Sequence, residues 1–227
     1  MAVLYGVSIG PGDYELLTLK AVRVLEETNI IAVPRTKKEN TMALSIIENV
    51  IDISEKELLY FDFPMTRDKA VCENNYKKIS NEIEHYLDNG RDVAFITIGD
   101  VSVFSTFSYI ARLCMEDGYD VQAIPGVPSF LAIAAKFNQP LALGDESILI
   151  MSGKCENFDE LMKTDTNKVI MKGNKSTNKI KEFFENEEVF QGKEIMGIED
   201  CGLATEKVYQ KLDEIGDCGY FTTFIIG

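Results

Sequence analysis

Three glycine-rich turns are the stretches of this chain whose residue types could do chemistry: Gly10-Pro11-Gly12-Asp13, Gly99-Asp100-Val101-Ser102 and Pro125-Gly126-Val127-Pro128-Ser129. Each follows a short apolar run that reads as a strand, and open α/β sheets bind ligands at the carboxyl ends of their strands. The first turn is not a P-loop, because no Gly-Lys-Ser/Thr follows it. It is not the dinucleotide fingerprint either, because Glu15 stands where the third glycine would fall. Asp13 and Glu15 would repel a phosphate. Taken singly, each turn is explained as well by an ordinary strand-to-helix connection. Three in succession point to a ligand that is neutral or cationic, with Asp13 and Asp100 as contacts for its hydroxyls, amines or positive charge.

The rest of the composition narrows the chemistry. The only histidine is His85, in a polar helical stretch, so His-rich zinc sites and Ser-His-Asp or Cys-His catalysis are not expected. A surface role is expected for it. The five cysteines, Cys72, Cys114, Cys155, Cys201 and Cys218, contain no Cys-x-x-Cys pair and read as reduced cytosolic thiols. No metal site is expected. Reactions whose energy arrives with a cofactor fit such a chain best. The 227 residues carry 23 Lys+Arg against 37 Asp+Glu, a net charge of −14, which argues against nonspecific nucleic-acid binding. No apolar run reaches the ~18 residues of a membrane-spanning helix. Met1 leads straight into Ala2–Ile9 without a basic n-region, so no secretory signal is expected and the cytoplasm is the expected location.

The elements that must position the turns alternate between strand and helix. Val3–Ile9 reads as a strand, and Leu16–Glu27 as a helix with Leu16, Leu19, Val22 and either Val24 or Leu25 on its stripe. Ile30–Val33 reads as a strand stopped by Pro34. Met42–Val50 is helical, Leu58–Tyr60 a weak strand, and Tyr76, Ile79, Ile83 and Leu87 mark an amphipathic helix closed by Asn89-Gly90. Asp92–Ile98 is the strongest strand. Phe104, Phe107, Ile110, Ala111 and Cys114 form a helix, with Phe104, Phe107 and Tyr109 expected in the core. Val121–Ile124 is a strand, and Ser129 is placed to cap a helix reaching Phe137. Further on, Ile148–Met151, Val169–Met171, Glu194–Ile198, Lys207–Tyr209 and Phe221–Ile226 read as strands and Thr177–Asn186 as a solvated helix. A boundary at Leu141–Gly144 gives two α/β domains, 1–141 and 142–227.

The run Leu4-Tyr5-Gly6-Val7-Ser8-Ile9-Gly10-Pro11-Gly12-Asp13-Tyr14-Glu15-Leu16-Leu17-Thr18-Leu19-Lys20-Ala21 resembles the opening of the tetrapyrrole methylases, which use S-adenosylmethionine to methylate corrin and siroheme precursors. Ile98-Gly99-Asp100 is similar to that family's Gly-Asp-Pro loop. Val121–Ala135 resembles its Pro-Gly turn and Ala-rich helix. Gly197-Ile198-Glu199-Asp200-Cys201-Gly202, followed by Glu206-Lys207-Val208-Tyr209, resembles its C-terminal signature. Phe61-Asp62-Phe63-Pro64-Met65-Thr66-Arg67-Asp68-Lys69 and Ser102–Ile110 resemble the branch acting on carbon 20 of precorrin-2 or cobalt-precorrin-2. Val101 departs from the usual proline of the middle loop, which implies a looser loop, and Pro128 from a small or hydroxylated residue.

The resemblance implies a class III methyltransferase-like fold, two α/β domains with the cofactor cleft between them, commonly homodimeric. It implies a role in cobalamin biosynthesis. Carried over by position, Pro11, Gly99, Asp100 and Val103 would touch S-adenosylmethionine, as would Pro128 and Ser129. Lys172 and Cys201 would contribute mainly backbone. Methyl transfer from a sulfonium depends on alignment more than on an acid, base or metal, which suits a chain with one histidine. The tetrapyrrole is a polyacid, so an acidic protein must gather its few cations at the site. Arg35 and Arg67, within Arg35-Thr36-Lys37-Lys38 and Arg67-Asp68-Lys69, are the expected substrate contacts. The alternatives are another branch of the same superfamily, acting on a different corrin carbon or on a protein side chain as diphthine synthases do, or a non-catalytic S-adenosylmethionine-binding regulatory module.

Overall fold

The computed structural model describes residues 2–35, 42–64, 66 and 68–227. The described chain divides into two compact units, Met1–Pro128 and Ser129–Gly227. The division falls before the helix Ser129–Phe137, whereas the line expected from sequence falls after it. The helix goes with the second unit because it packs against that unit's last strand.

In the first unit β1 (Val3–Ser8) leads through a 3-10 turn, Tyr14–Leu16, to α1 (Leu19–Glu27). Then come β2 (Ile30–Arg35), α2 (Met42–Ile47), β3 (Glu57–Asp62), α3 (Lys69–Asp88), β4 (Val93–Thr97), α4 (Phe107–Glu116) and β5 (Asp120–Ile124). The strands form one parallel sheet in the order β3-β2-β4-β1-β5. Val93, Ala94, Phe95 and Ile96 are fully buried, as expected of a central parallel strand covered on both faces. The stripe of α3 packs Ile79, Ile83 and Leu87 into a core with Leu4, Phe95, Phe107 and Ile110. Asp68 starts that helix by accepting from the amides of Ala70 and Val71. Because the sheet is parallel, the three glycine turns leave it at one edge.

Three expectations are corrected here. Pro34 lies inside β2 rather than ending it. Pairing of β2 with β4 stops at Ala32, so the donor that proline lacks falls where the strand is bonded on one side only. Leu19 does not join the buried stripe: the helix begins at the Thr18 cap, and Leu19 in its first turn is 90% exposed while Ala21, Val24 and Leu25 are buried. Phe104 precedes α4 with φ +49° and, like Tyr109, is exposed; only Phe107 of the three aromatics is in the core.

The second unit contains α5 (Ser129–Phe137), β6 (Ile148–Ser152), α6 (Phe158–Met162), β7 (Asn167–Met171), α7 (Thr177–Asn186), β8 (Ile195–Glu199), β9 (Lys207–Tyr209) and β10 (Thr222–Ile226). α6 is not among the elements expected from the sequence, although Asp159 and Glu160 in its first turn suit a helix start. The sheet order is β6-β7-β10-β8-β9, with β6 and β7 parallel and β10 antiparallel to both β7 and β8. Its core gathers Met151, Ile170, Ile180, Phe190 and Phe224. Among the described residues no helix is long and apolar enough to cross a membrane.

Candidate functional site

Asp100 organises the carboxyl edge of the first sheet. One carboxylate oxygen, Oδ1, accepts from the Ser102 amide at 2.8 Å and the Ser102 hydroxyl at 2.5 Å. The other, Oδ2, accepts from the Gly126 amide at 2.8 Å and the Ser8 hydroxyl at 3.5 Å. One buried side chain thereby ties together the ends of β1, β4 and β5. Burial alone would raise its pKa, but the donors from Ser102, Gly126 and Ser8 prevail and hold it below the ordinary carboxylate value. The side chain is therefore an ionised internal clip, with its oxygens already engaged by protein donors.

The backbone around the clip is tight on one side and open on the other. The Gly99 amide donates to the Gly10 carbonyl at 2.7 Å, joining the first and middle turns. A Cβ on Gly126 would lie 2.4 Å from the Ser8 Cβ and 3.1 Å from the Gly99 carbonyl oxygen, so only glycine fits there. Gly10 and Gly99 have φ of +73° and +79°. A Cβ on Gly99 would meet nothing within 4 Å, so that turn presents its backbone to open space. Val101 does not loosen the loop as expected. Its amide donates to the Ser8 hydroxyl at 3.0 Å, a bond that proline could not make. The Val103 amide bonds the Asp100 carbonyl, closing the turn. Pro11 and Pro128 are buried beside these glycines.

Asp13 acts locally, accepting from the Glu15 amide at 3.0 Å and capping the 3-10 turn. Thr18 caps α1 through the Ala21 amide and also donates to the Pro125 carbonyl, linking the first helix to the third turn. Arg35 stands at the carboxyl end of β2, the strand that pairs with β4, whose own end carries the middle glycine turn. Its Nη2 donates to Asp62 Oδ2 at 3.2 Å, its Nε lies 3.1 Å from Oδ1, and its guanidinium sits 4.8 Å from the Tyr60 ring. Arg67, Lys37 and Lys38 lie outside the described residues. His85 is exposed on α3, as expected.

In the second unit strand register gathers the remaining expected residues. The Ser129 hydroxyl shares a hydrogen bond with Thr223 Oγ1 at 3.2 Å. Thr223 stands opposite Met171, the residue before Lys172, and Thr222 opposite Glu199, two before Cys201. Lys172 and Asp200 both adopt left-handed backbone, φ +56° and +54°, just past the ends of β7 and β8. Sequence reading gave no role to Ser8, Ser102 or Gly126 as partners of Asp100, nor to Glu199. All four lie within the quoted stretches: Ser8 in the opening run, Ser102 in the middle turn, Gly126 in the third turn and Glu199 in the C-terminal signature. Among the described residues no group of three or more His, Cys, Asp or Glu side chains is arranged to hold a metal ion.

The sequence profile of the Tetrapyrrole (Corrin/Porphyrin) Methylases matches residues 3–216. The chain belongs to that family. A probable cobalt-precorrin-2 C(20)-methyltransferase of Methanocaldococcus jannaschii is 42% identical over 149 residues, 65% of this chain and 63% of that protein. The match thus spans less than two thirds of that relative's length. The cobalt-precorrin-2 C(20)-methyltransferase of Salmonella typhimurium is 28% identical over 231 residues, 98% of this chain and 95% of the relative. Among solved structures, the cobalt precorrin-4 methyltransferase CbiF superposes with a TM-score of 0.78 at 17% identity, covering 99% of this chain and 94% of that one. The uroporphyrin-III C-methyl transferase of Thermus thermophilus, complexed with S-adenyl homocysteine, superposes with a TM-score of 0.71 at 21% identity, covering 100% of this chain and 97% of that one. These two likenesses are likenesses of fold.

Proposed function

We propose that this chain is an S-adenosylmethionine-dependent methyltransferase acting on carbon 20 of cobalt-precorrin-2, in cobalamin biosynthesis. The observation that carries the proposal is the Asp100 clip, which braces three family turns while leaving the Gly99 backbone open. The open side of the Gly99 turn suits the hydroxyls, amino group and positive charge of such a cofactor, and the turn offers no phosphate cradle. When bound, S-adenosylmethionine supplies a methyl group on a positively charged sulfur, a good leaving group. What remains for the protein is alignment. Pro11, Gly99, Asp100 and Val103 form the loop that holds the cofactor, with Asp100 acting by fixing the backbone. Arg35, held in place by Asp62 and Tyr60, offers its remaining donors to a substrate carboxylate, and Arg67 is proposed for the same role. The protein acts in the cytoplasm as a homodimer and has no nucleic-acid or membrane partner.

Incubation with S-adenosylmethionine and enzymatically made precorrin-2, with and without cobalt, tests this. The expected result is a product heavier by one methylene, formed faster from the cobalt-loaded substrate. Binding of the cofactor without transfer to either tetrapyrrole would favour a regulatory module instead. Metal-free turnover alone would assign the chain to the other substrate.

A further inference from the structure

Tyr109, an aromatic residue expected in the core, lies in the first turn of α4 and is 48% exposed. Its ring is nevertheless held. It lies face to face on the ring of Tyr76 from α3, with centroids 4.7 Å apart and planes within 10°. Tyr76 leans on Phe63, Phe63 on Phe95 and Phe95 on Phe107, at centroid distances of 6.2, 6.2 and 5.6 Å and with tilted or edge-on planes. A chain of rings thus runs from the core of the first unit to one flat, exposed face. A ring covered on one side and still half exposed has its other side in water. Tyrosine held in this way offers a rigid apolar face at little further entropic cost, and such a face favours offset stacking on another π-system.

The surroundings say what that face would take. On one side, the Ser108 hydroxyl donates to the Val101 carbonyl at 3.3 Å, tying the first turn of α4 to the middle glycine turn. On the other side, the side-chain amide of Asn75, next to Tyr76 in α3, donates to the Asp62 carbonyl at 3.1 Å, and the Asp62 carboxylate holds Arg35. The carboxyl edge of the first sheet therefore carries the middle glycine turn, then a stacked pair of rings, then a guanidinium with donors to spare. A ligand with a conjugated ring system and carboxylates at its periphery matches the rings and the guanidinium together.

We infer that the exposed face of Tyr109, backed by Tyr76, is a stacking platform for the conjugated macrocycle of the tetrapyrrole polyacid. The inference rests on the proposed function. The adenine of the cofactor also has a π face, and a second copy of the chain could cover the ring, so the test separates these occupants. Tyr109→Leu, Tyr109→Phe and Tyr76→Leu are compared with the wild type in four measurements. These are binding of uroporphyrin followed by the shift of its Soret band, methylation kinetics with cobalt-loaded precorrin-2, calorimetric binding of S-adenosylmethionine, and sedimentation. Tyr109→Leu keeps an apolar side chain but no π face. It is expected to remove the band shift, weaken uroporphyrin binding and raise the tetrapyrrole KM, each of the last two by about three- to thirtyfold. Tyr76→Leu should move the same readouts less, because it removes only the backing. Tyr109→Phe keeps the face and should stay within about twofold of the wild type. Cofactor affinity in Tyr109→Leu should change by less than about twofold, a separation that general loss of structure would not give. Wild-type uroporphyrin binding and KM in Tyr109→Leu, while the wild type methylates the tetrapyrrole, would overturn the inference and leave the function standing. Loss of cofactor affinity alone would assign the ring to the adenine, and loss of a dimer alone would assign it to a second copy; either overturns the inference. Tyr109→Phe as weak as Tyr109→Leu would assign the effect to the hydroxyl and overturn it too. A wild type that binds uroporphyrin through Tyr109 without methylating the tetrapyrrole would overturn the function and keep the platform, and one that does neither would overturn both.

Discussion

Four donors converge on Asp100, and an ionised carboxylate can accept all of them. Asparagine keeps the size but turns an amide toward either Ser102 N–H or Gly126 N–H. Asp100→Asn is therefore expected to cost about 1–3 kcal/mol of stability through unsatisfied buried donors. It should also weaken S-adenosylmethionine binding at least tenfold, about 1.4 kcal/mol. Denaturant unfolding and calorimetric titration check the two parts, and unchanged affinity would remove Asp100 from the cofactor site. The pH dependence has a definite sign. The folded-state pKa lies below the ordinary value, so this stabilisation is present above about pH 4 and is lost as pH falls through the folded value. The asparagine variant should lack that share of the acid-side loss. Arg35 is a contrasting case. Sequence reading saw a free cation at a strand end, whereas register places Asp62 opposite it and neutralises much of its charge.

The strands and turns act as one assembly at Gly126. The third turn reaches Asp100 only because nothing projects from Gly126 toward Ser8. Gly126→Ala would force the end of β1 away from the turn after β5 and stretch the bond from the Gly126 amide. The expected cost is about 1–3 kcal/mol, as for other overpacked sites, with methyl transfer lost more steeply than melting temperature. A fully active Gly126→Ala enzyme would show that the turn tolerates separation. Most helices were legible from their apolar period, α3 best of all, because its stripe and its Asp68 cap agree. Where reading failed, at Leu19, Pro34 and Phe104, the local pattern was sound. What it lacked was the cap position, the one-sided pairing or the left-handed backbone that the surroundings impose.

For the whole molecule, the net charge of −14 is a uniform destabilising background. Several ion pairs among the described residues, such as Arg112–Glu116, Lys163–Glu187 and Lys179–Asp159, are exposed surface pairs of small individual worth. Self-repulsion is felt over about 30 Å at 0.01 M salt and about 8 Å at 0.15 M. Raising salt between those limits is expected to increase the melting temperature by about 2–4 °C, the equivalent of about 1 kcal/mol for a chain of this size. Scanning calorimetry decides it: a melting temperature that is flat or falls with salt would mean that the surface pairs outweigh the repulsion.

By itself the sequence determined the alternation of strand and helix, the three glycine turns at strand ends, the single histidine and the family. These are short-range properties: apolar period, turn residues and residue counts are complete within a few neighbouring positions. Only the tertiary structure decided which side chains meet. Ser8 and Asp100 are 92 positions apart, and Asp100 and Gly126 are 26 apart, yet they share one carboxylate. Lys168 belongs to a residue type that is rarely fully buried. Register with β10 buries it completely, its ammonium donates to the carbonyls of Thr164 and Thr166, and burial pushes its pKa down to about 8. Partners of this kind are set by strand order and register, which depend on burying whole faces at once, and no local pattern records them.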